Sequence, residues 1–285
     1  RDEAEAAAWY QRASDQGDAL AQFKLGMALA NGRGVERDEA RAVALFRQAA
    51  GQGKAQAQFM LGVMLEHGRG EAQNVVEAAR WYRRAAEQDD ATAQLNLGAC
   101  YEVGRGVPQS QTQAVAWYRR AADQGEARAQ ANLGHAYARG LGVAQDHAQA
   151  AAWFRRAADQ GHVSSQIELA DMYARALGVQ RSDVEALRWI LIAESRAASA
   201  EDRAACASGR ERLARRMTAA QLTEAQRLAR EWIDAGSGLE TVAVNISATQ
   251  IRRSDFVAAV AAILRETGLP AARLELEVTE ELVMA

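Results

Sequence analysis

Among the residues whose types could do chemistry are four histidines, two cysteines and a recurring glycine-rich triplet. A thiol is a nucleophile or metal ligand only where its surroundings favour the charged form. Cys100 directly precedes Tyr101 in a helical pattern and reads as a small buried hydrophobe. Two cysteines, Cys100 and Cys206, cannot build a disulfide framework. His67, His135, His147 and His162 fall at different positions of a 36-residue period, so they share no face and predict no metal site. The triplets Gly32-Arg33-Gly34, Gly68-Arg69-Gly70 and Gly104-Arg105-Gly106 would suit a phosphate if each followed a strand and opened a helix. Each follows a helical pattern instead and reads as a turn. No residue of this set receives a catalytic role.

Composition says what must hold such residues in place. Of 285 residues, 66 are alanine and only Pro108 and Pro270 are proline. Alanine is the best helix former and proline the worst, so the chain is expected to be mainly helical. The formal charge is −3, and the basic residues are spread along the whole length, with Lys24 and Lys54 the only lysines. That balance lacks the basic stripe of a nucleic-acid protein, so no nucleic-acid partner is expected. No apolar run approaches the 18 or so residues of a membrane-spanning helix, and no span is expected. The chain opens at Arg1 directly in a helical pattern, which reads as an excised piece and leaves a removed leader open.

Trp9, Leu45, Trp81, Trp117, Trp153 and Trp189 are each 36 residues apart, and each is followed by Tyr, Phe or Ile. Leu25, Leu61, Leu97, Leu133 and Leu169 keep the same period; glycine follows the first four, and Ala170 follows the last. The triplets are also periodic, passing through Gly140-Leu141-Gly142 to Ala176-Leu177-Gly178. Within one period Ala114, Trp117, Tyr118, Ala121 and Ala122 form one helical stripe, stopped at Gly125, and Ala129, Leu133, Gly134 and Tyr137 form a second. The Trp-aromatic stripe is expected to be core packing. Helix pairs of this kind cannot bury their stripes alone but can when stacked. The expected architecture is therefore an α-solenoid, one elongated right-handed superhelix.

The unit A-x-x-W-Y-R-R-A-A-D-Q-G followed by A-x-A-Q-x-x-L-G-x-x-Y-x-x-G-x-G-V resembles the Sel1-like repeat, a relative of the tetratricopeptide repeat. The resemblance covers residues 1–197, five full units and a degenerate sixth. It implies a scaffold or adaptor, not an enzyme, with a protein or peptide partner on a concave face lined by the Trp-bearing helices. Beyond it, residues 198–235 read as two C-terminal capping helices, with Thr218-Ala-Ala-Gln221 as a capping box.

From residue 236 the pattern changes. Thr241 to Asn245 is a short apolar β run, Phe256, Val257, Val260, Ile263 and Leu264 form a helical stripe, and Arg273 to Val278 alternates like a strand. This predicts a short βαβ unit with parallel strands. V-A-V-N-I-S-A-T-Q-I, S-D-F and T-G-L-P-A-A-R-L-E-L-E-V-T-E resemble the middle of an EAL domain, a TIM-barrel phosphodiesterase that hydrolyses cyclic di-GMP with Mg²⁺ or Mn²⁺. The resemblance implies Asn245 and Glu277 as vestigial metal ligands and Glu280 as a residue steadying a loop; Thr249 departs from the family's arginine. An amide oxygen and a carboxylate are hard donors suited to such ions.

A complete barrel needs eight strands and about 250 residues. Residues 236–285 are therefore expected to be a truncated segment, with no cofactor in this chain and no turnover of its own. Glu185-Ala186-Leu187 matches the family signature but lies in register with the repeats and reads as helix. The EAL resemblance favours the cytoplasm, whereas Sel1-like arrays are often exported; both localisations stay open.

Overall fold

Small residues at the stripe positions let helices approach until backbone meets side chain, and that approach organises the chain. The computed structural model describes residues 2–236, 242–246 and 274–278. Among them run α1 (Asp2–Asp15), α2 (Ala19–Asn31), α3 (Glu39–Gly51), α4 (Ala55–His67), α5 (Val75–Glu87), α6 (Ala91–Val103) and α7 (Gln111–Asp123). They continue as α8 (Ala127–Arg139), α9 (His147–Asp159), α10 (Val163–Arg175), α11 (Asp183–Arg196), α12 (Ala200–Ala214) and α13 (Ala219–Gly236). Successive helices from α1 to α12 pack on one another in chain order, the arrangement of an α-solenoid. The chain divides into two compact units, residues 1–226 and 227–285.

The sequence pairs each Trp-bearing helix with the Leu-Gly helix after it. In the structure the more extensive pairing is the reverse: α2 with α3, α4 with α5, α6 with α7, α8 with α9 and α10 with α11. Glycine is the reason. A Cβ placed on Gly62 would stand 2.7 Å from the Tyr82 ring, and on Gly98 2.6 Å from Tyr118. Gly26 and Gly134 hold Phe46 and Phe154 in the same way, each 2.7 Å from the absent Cβ. At the fifth site the partner is Ile190, and the glycine has become Ala170; both line one small cavity.

The same contact refines the expectation that the Trp-aromatic stripe is core packing: Trp153 and Trp189 are buried, but the ring that follows is the more constant core residue. Phe46, Tyr82, Tyr118 and Phe154 are fully buried, whereas Trp81 and Trp117 are half-buried and Trp9 is 60% exposed. Neighbours on a helix point about 100° apart, so the rings aimed at the facing glycines turn Trp81 and Trp117 toward the surface, whereas Trp153, before Phe154, is only 9% exposed and joins the core. Trp189 is buried completely on α11, on which α12 packs.

The two glycines of each triplet do different work. Gly32, Gly68, Gly104 and Gly140 are left-handed C-caps with φ of 65–75°. Ala176 takes that role after α10 at φ 58°. The second glycine has no such latitude: a Cβ on Gly106 would sit 2.0 Å from the Val75 carbonyl oxygen, and on Gly178 2.1 Å from that of His147. This is why the triplet can decay to Ala-Leu-Gly and keep its last member.

A polar ladder runs through the apolar core. Gln58, Gln94, Gln130 and Gln166 are buried, and each donates through Nε2 to the carbonyl eight residues back, at 3.0–3.2 Å. The side-chain oxygens of Gln22, Gln58, Gln94 and Gln130 accept from Gln52, Gln88, Gln124 and Gln160 at 2.7–2.8 Å. Unpartnered buried amides are costly, so the ladder selects one stacking register.

Beyond the repeats, Cys206 and Leu213 of α12 are buried, and Gly209 abuts Ile190. The box at Thr218 forms: Thr218 N donates to Gln221 Oε1 at 2.9 Å, and Gln221 N donates to Thr218 Oγ1 at 3.3 Å. In the second unit, strands β1 (Val242–Ile246) and β2 (Leu274–Val278) pair in parallel, Val242 opposite Leu274. The helix expected between them, Thr249 and Glu280 lie outside the described residues. Glu185 lies in α11 behind the Ser182 N-cap and pairs with Arg188 at 3.1 Å, as the helical reading expected.

Tyr118→Ala should destabilise the first unit by about 3–5 kcal/mol, and the half-buried Trp117→Ala by clearly less, in denaturant melts. Ala176→Gly should stabilise it by about 1 kcal/mol by relieving left-handed strain. Gly106→Ala should lower the melting temperature sharply, because backbone rather than a side chain must move.

Candidate functional site

Arginine and aromatic residues recur on the Trp-bearing helices and make one repeated surface motif. On α5 the Arg84 guanidinium carbon stands 4.5 Å from the centre of the Trp81 ring. Arg120 over Trp117 on α7 and Arg156 over Trp153 on α9 repeat this at 4.8 and 4.5 Å, and Arg12 over Trp9 on α1 at 4.8 Å. The preceding arginines turn to the next helix: Arg83, Arg119 and Arg155 donate to the hydroxyls of Tyr101, Tyr137 and Tyr173. Each guanidinium carbon lies 5.8, 5.7 and 5.6 Å from the centre of its tyrosine ring, at the hydroxyl end. Exposed contacts of this kind contribute about 0.5–1 kcal/mol each. Their larger effect is to hold long side chains in one rotamer before anything binds.

Charged groups are shared between repeats. Arg47 of α3 reaches Glu77 of α5 at 2.5 Å and Glu71 at 2.6 Å. Arg69 reaches Glu39 at 2.6 Å. The most enclosed arrangement is Glu66, whose Oε2 accepts from the Tyr82 hydroxyl at 2.6 Å and whose Oε1 accepts from Arg105 Nη1 at 2.7 Å. Burial alone would push the Glu66 carboxyl up, but the Tyr82 hydroxyl and the Arg105 guanidinium outweigh it and hold it below its usual 4.5. Where the aromatic residue is Phe46 or Phe154, with no hydroxyl to donate, the acid's position carries Ala30 or Ala138.

The thiols are withdrawn from chemistry: burial pushes Cys100 and Cys206 up to about 11. Burial likewise lowers His135 and His162, favouring the neutral ring near pH 7. Among the described residues no group of three or more His, Cys, Asp or Glu side chains converges as a metal site would require. Asn245 and Glu277, the ligands implied by resemblance, are direct partners across the parallel strand pair. Two such donors do not by themselves fit Mg²⁺, which takes six oxygens. No helix among the described residues is long and apolar enough to cross a membrane.

Reading the sequence missed the buried glutamines and the Tyr–Glu pairs. The signal was present for the glutamines, which keep the 36-residue period at Gln22, Gln58, Gln94, Gln130 and Gln166, and for the pairs in the joint recurrence of Tyr82 with Glu66 and Tyr118 with Glu102. Polarity alone, however, places a glutamine on the surface.

The family model for the Sel1 repeat matches residues 1–18, 19–54, 55–90, 91–126, 127–162 and 163–196, in the phase set by the glycine–aromatic contacts. The chain belongs to the Sel1 repeat family. It is similar to a Sel1 repeat protein of Oxalobacter formigenes at 35% identity and TM-score 0.64, covering 68% of this chain and 83% of that one. It also resembles a protective antigen of uropathogenic Escherichia coli with an SLR fold, at 32% identity and TM-score 0.53. There the match covers 86% of this chain but 60% of the antigen. No curated protein matches the chain.

Because the folded state holds Glu66 below 4.5, its contribution is complete above the unfolded value and is lost as pH falls through the folded one. Glu66→Gln should therefore flatten the acid limb of the stability curve below about pH 4.5 and leave its shape near pH 7 unchanged. Thermal melts across pH 2–8 measure this.

Proposed function

We propose that this Sel1 repeat protein is a scaffold that binds a protein or peptide partner along its repeats, with α12 and α13 closing the array. The observation that carries this reading is the periodic arginine–aromatic surface. Arg, Tyr and Trp are the residues that dominate binding energy at protein interfaces. Hydrogen bonds to the tyrosine hydroxyls fix Arg83, Arg119 and Arg155, so less rotamer freedom is lost when a partner arrives. A standard interface buries about 800 Å² per partner, which calls for several repeats side by side rather than one helix pair. The use of arginine almost to the exclusion of lysine fits the same role, since the planar guanidinium offers five fixed donors.

Cross-linking of the full chain to captured partners, read by mass spectrometry, tests the proposal. Contacts should concentrate on α5 to α10. The combined variant Arg83→Ser, Arg119→Ser and Arg155→Ser should lose the partner while its helical content is unchanged. Retention of the partner by that variant would place binding elsewhere.

A second reading attaches to residues 236–285, because the strands carrying Asn245 and Glu277 run parallel and in register. It is that of a segment of an EAL-type cyclic di-GMP phosphodiesterase. No turnover is expected from residues 1–285 with Mg²⁺ or Mn²⁺. Hydrolysis that disappears in Glu277→Ala would favour this reading over the scaffold.

A further inference from the structure

The repeats allow one site to be read against its own copy. In the α4–α5–α6 region the Glu66 carboxylate is filled on both oxygens, by the Tyr82 hydroxyl and by Arg105. One repeat later the first half recurs unchanged: the Tyr118 hydroxyl donates to Glu102 Oε2 at 2.6 Å. The second half is missing. The position of Arg105 is taken by Leu141, which is 37% exposed and brings no charge. A cavity of about 190 Å³ opens beside Glu102, lined by Tyr118, Asn132, His135, Arg139 and Leu141 among others. This is several times the roughly 30 Å³ that one water occupies.

No cation among the described residues takes the place of Arg105 on Glu102. Among the described residues no arginine or lysine forms an ion pair with Glu102, and Arg139 at the rim is exposed. His135 is kept neutral by burial and packs its ring against Phe154 at 4.9 Å. The chain removes the acid where the hydroxyl is gone, at Ala30 and Ala138, yet keeps Glu102 where only the arginine is gone.

We propose that the cavity beside Glu102 receives the guanidinium group of an arginine presented by a partner polypeptide, in the place that Arg105 fills one repeat earlier. The inference rests on the scaffold reading for the existence of a partner, and it names that partner's chemistry. Glu102 Oε1 accepts from the incoming N–H, as Glu66 Oε1 does from Arg105, while Tyr118 holds the other oxygen in position. A charge-assisted hydrogen bond in a half-enclosed cavity is stronger than a neutral one.

Two measurements on the full chain test it. In the first, Leu141→Arg restores the arginine within the chain. The melting temperature should rise, and the rise should vanish in a Glu102→Gln background, where the amide still accepts from Tyr118 but carries no charge. An equal change in both backgrounds, or none, overturns the proposal. In the second, N-acetyl-arginine methylamide is titrated while the His135 and Tyr118 ring resonances are followed by NMR. Saturable shifts are expected, with affinity weakened about tenfold or more in Glu102→Gln and in Leu141→Arg. Equal binding to Leu141→Arg, or no saturation at tens of millimolar, overturns the proposal. The probe is a small molecule, so its failure leaves partner capture untouched. Failed capture with saturable arginine binding would count against the scaffold alone.

Discussion

The structure depends on side chains that are not there. At residues 26, 62, 98 and 134 a single added methyl group would occupy the space of an aromatic ring. The missing Cβ brings the two helices of a repeat close enough for the ring to lie against backbone. Protein interiors are packed to crystal-like density, so this contact is held within narrow limits. The exception at Ala170 and Ile190 follows the same rule, because the smaller partner leaves room for the methyl.

Polar groups then set what the apolar contact leaves free. Sliding a helix along its neighbour would still bury alanine against alanine, but it would strand the buried glutamine amides. The ladder from Gln22 to Gln160 therefore fixes register while adding modest net stability. The Tyr–Glu pairs act in the same layer and couple it to the surface. Glu66 is closed by Arg105, whereas Glu102 faces a cavity. A nearly uniform array thus acquires repeats that differ in charge, and at Glu102 a carboxylate without its arginine. A repeat scaffold needs such differences to tell one end of a partner from another.

Stacked arginines connect this framework to the proposed binding surface. The helices that aim Tyr82 and Tyr118 inward turn Trp81 and Trp117 outward, where Arg84 and Arg120 cover them. A half-buried tryptophan beneath a guanidinium remains soluble and stays available to a partner. On α5 and α7 the surface is thus a consequence of the core, because the ring that fills the glycine notch turns the preceding Trp toward solvent.

Much of this was legible in the sequence. The 36-residue period, the helices, the turns at the triplets and the capping box at Thr218 follow from residue type and spacing alone. Backbone propensity and apolar periodicity are local, and they survive in one dimension. The sequence also showed that Trp189 and Glu185 share the repeat register, which places both on α11. Tertiary structure decided which adjacent helix is the close partner, which of two neighbouring aromatics is core, and that the periodic glutamines lie inside. It also decided that Leu141 leaves a cavity beside Glu102. Those outcomes turn on which side chains from residues 16 to 39 positions apart meet in space, and a repeat pattern shows that such residues recur without showing which of them touch.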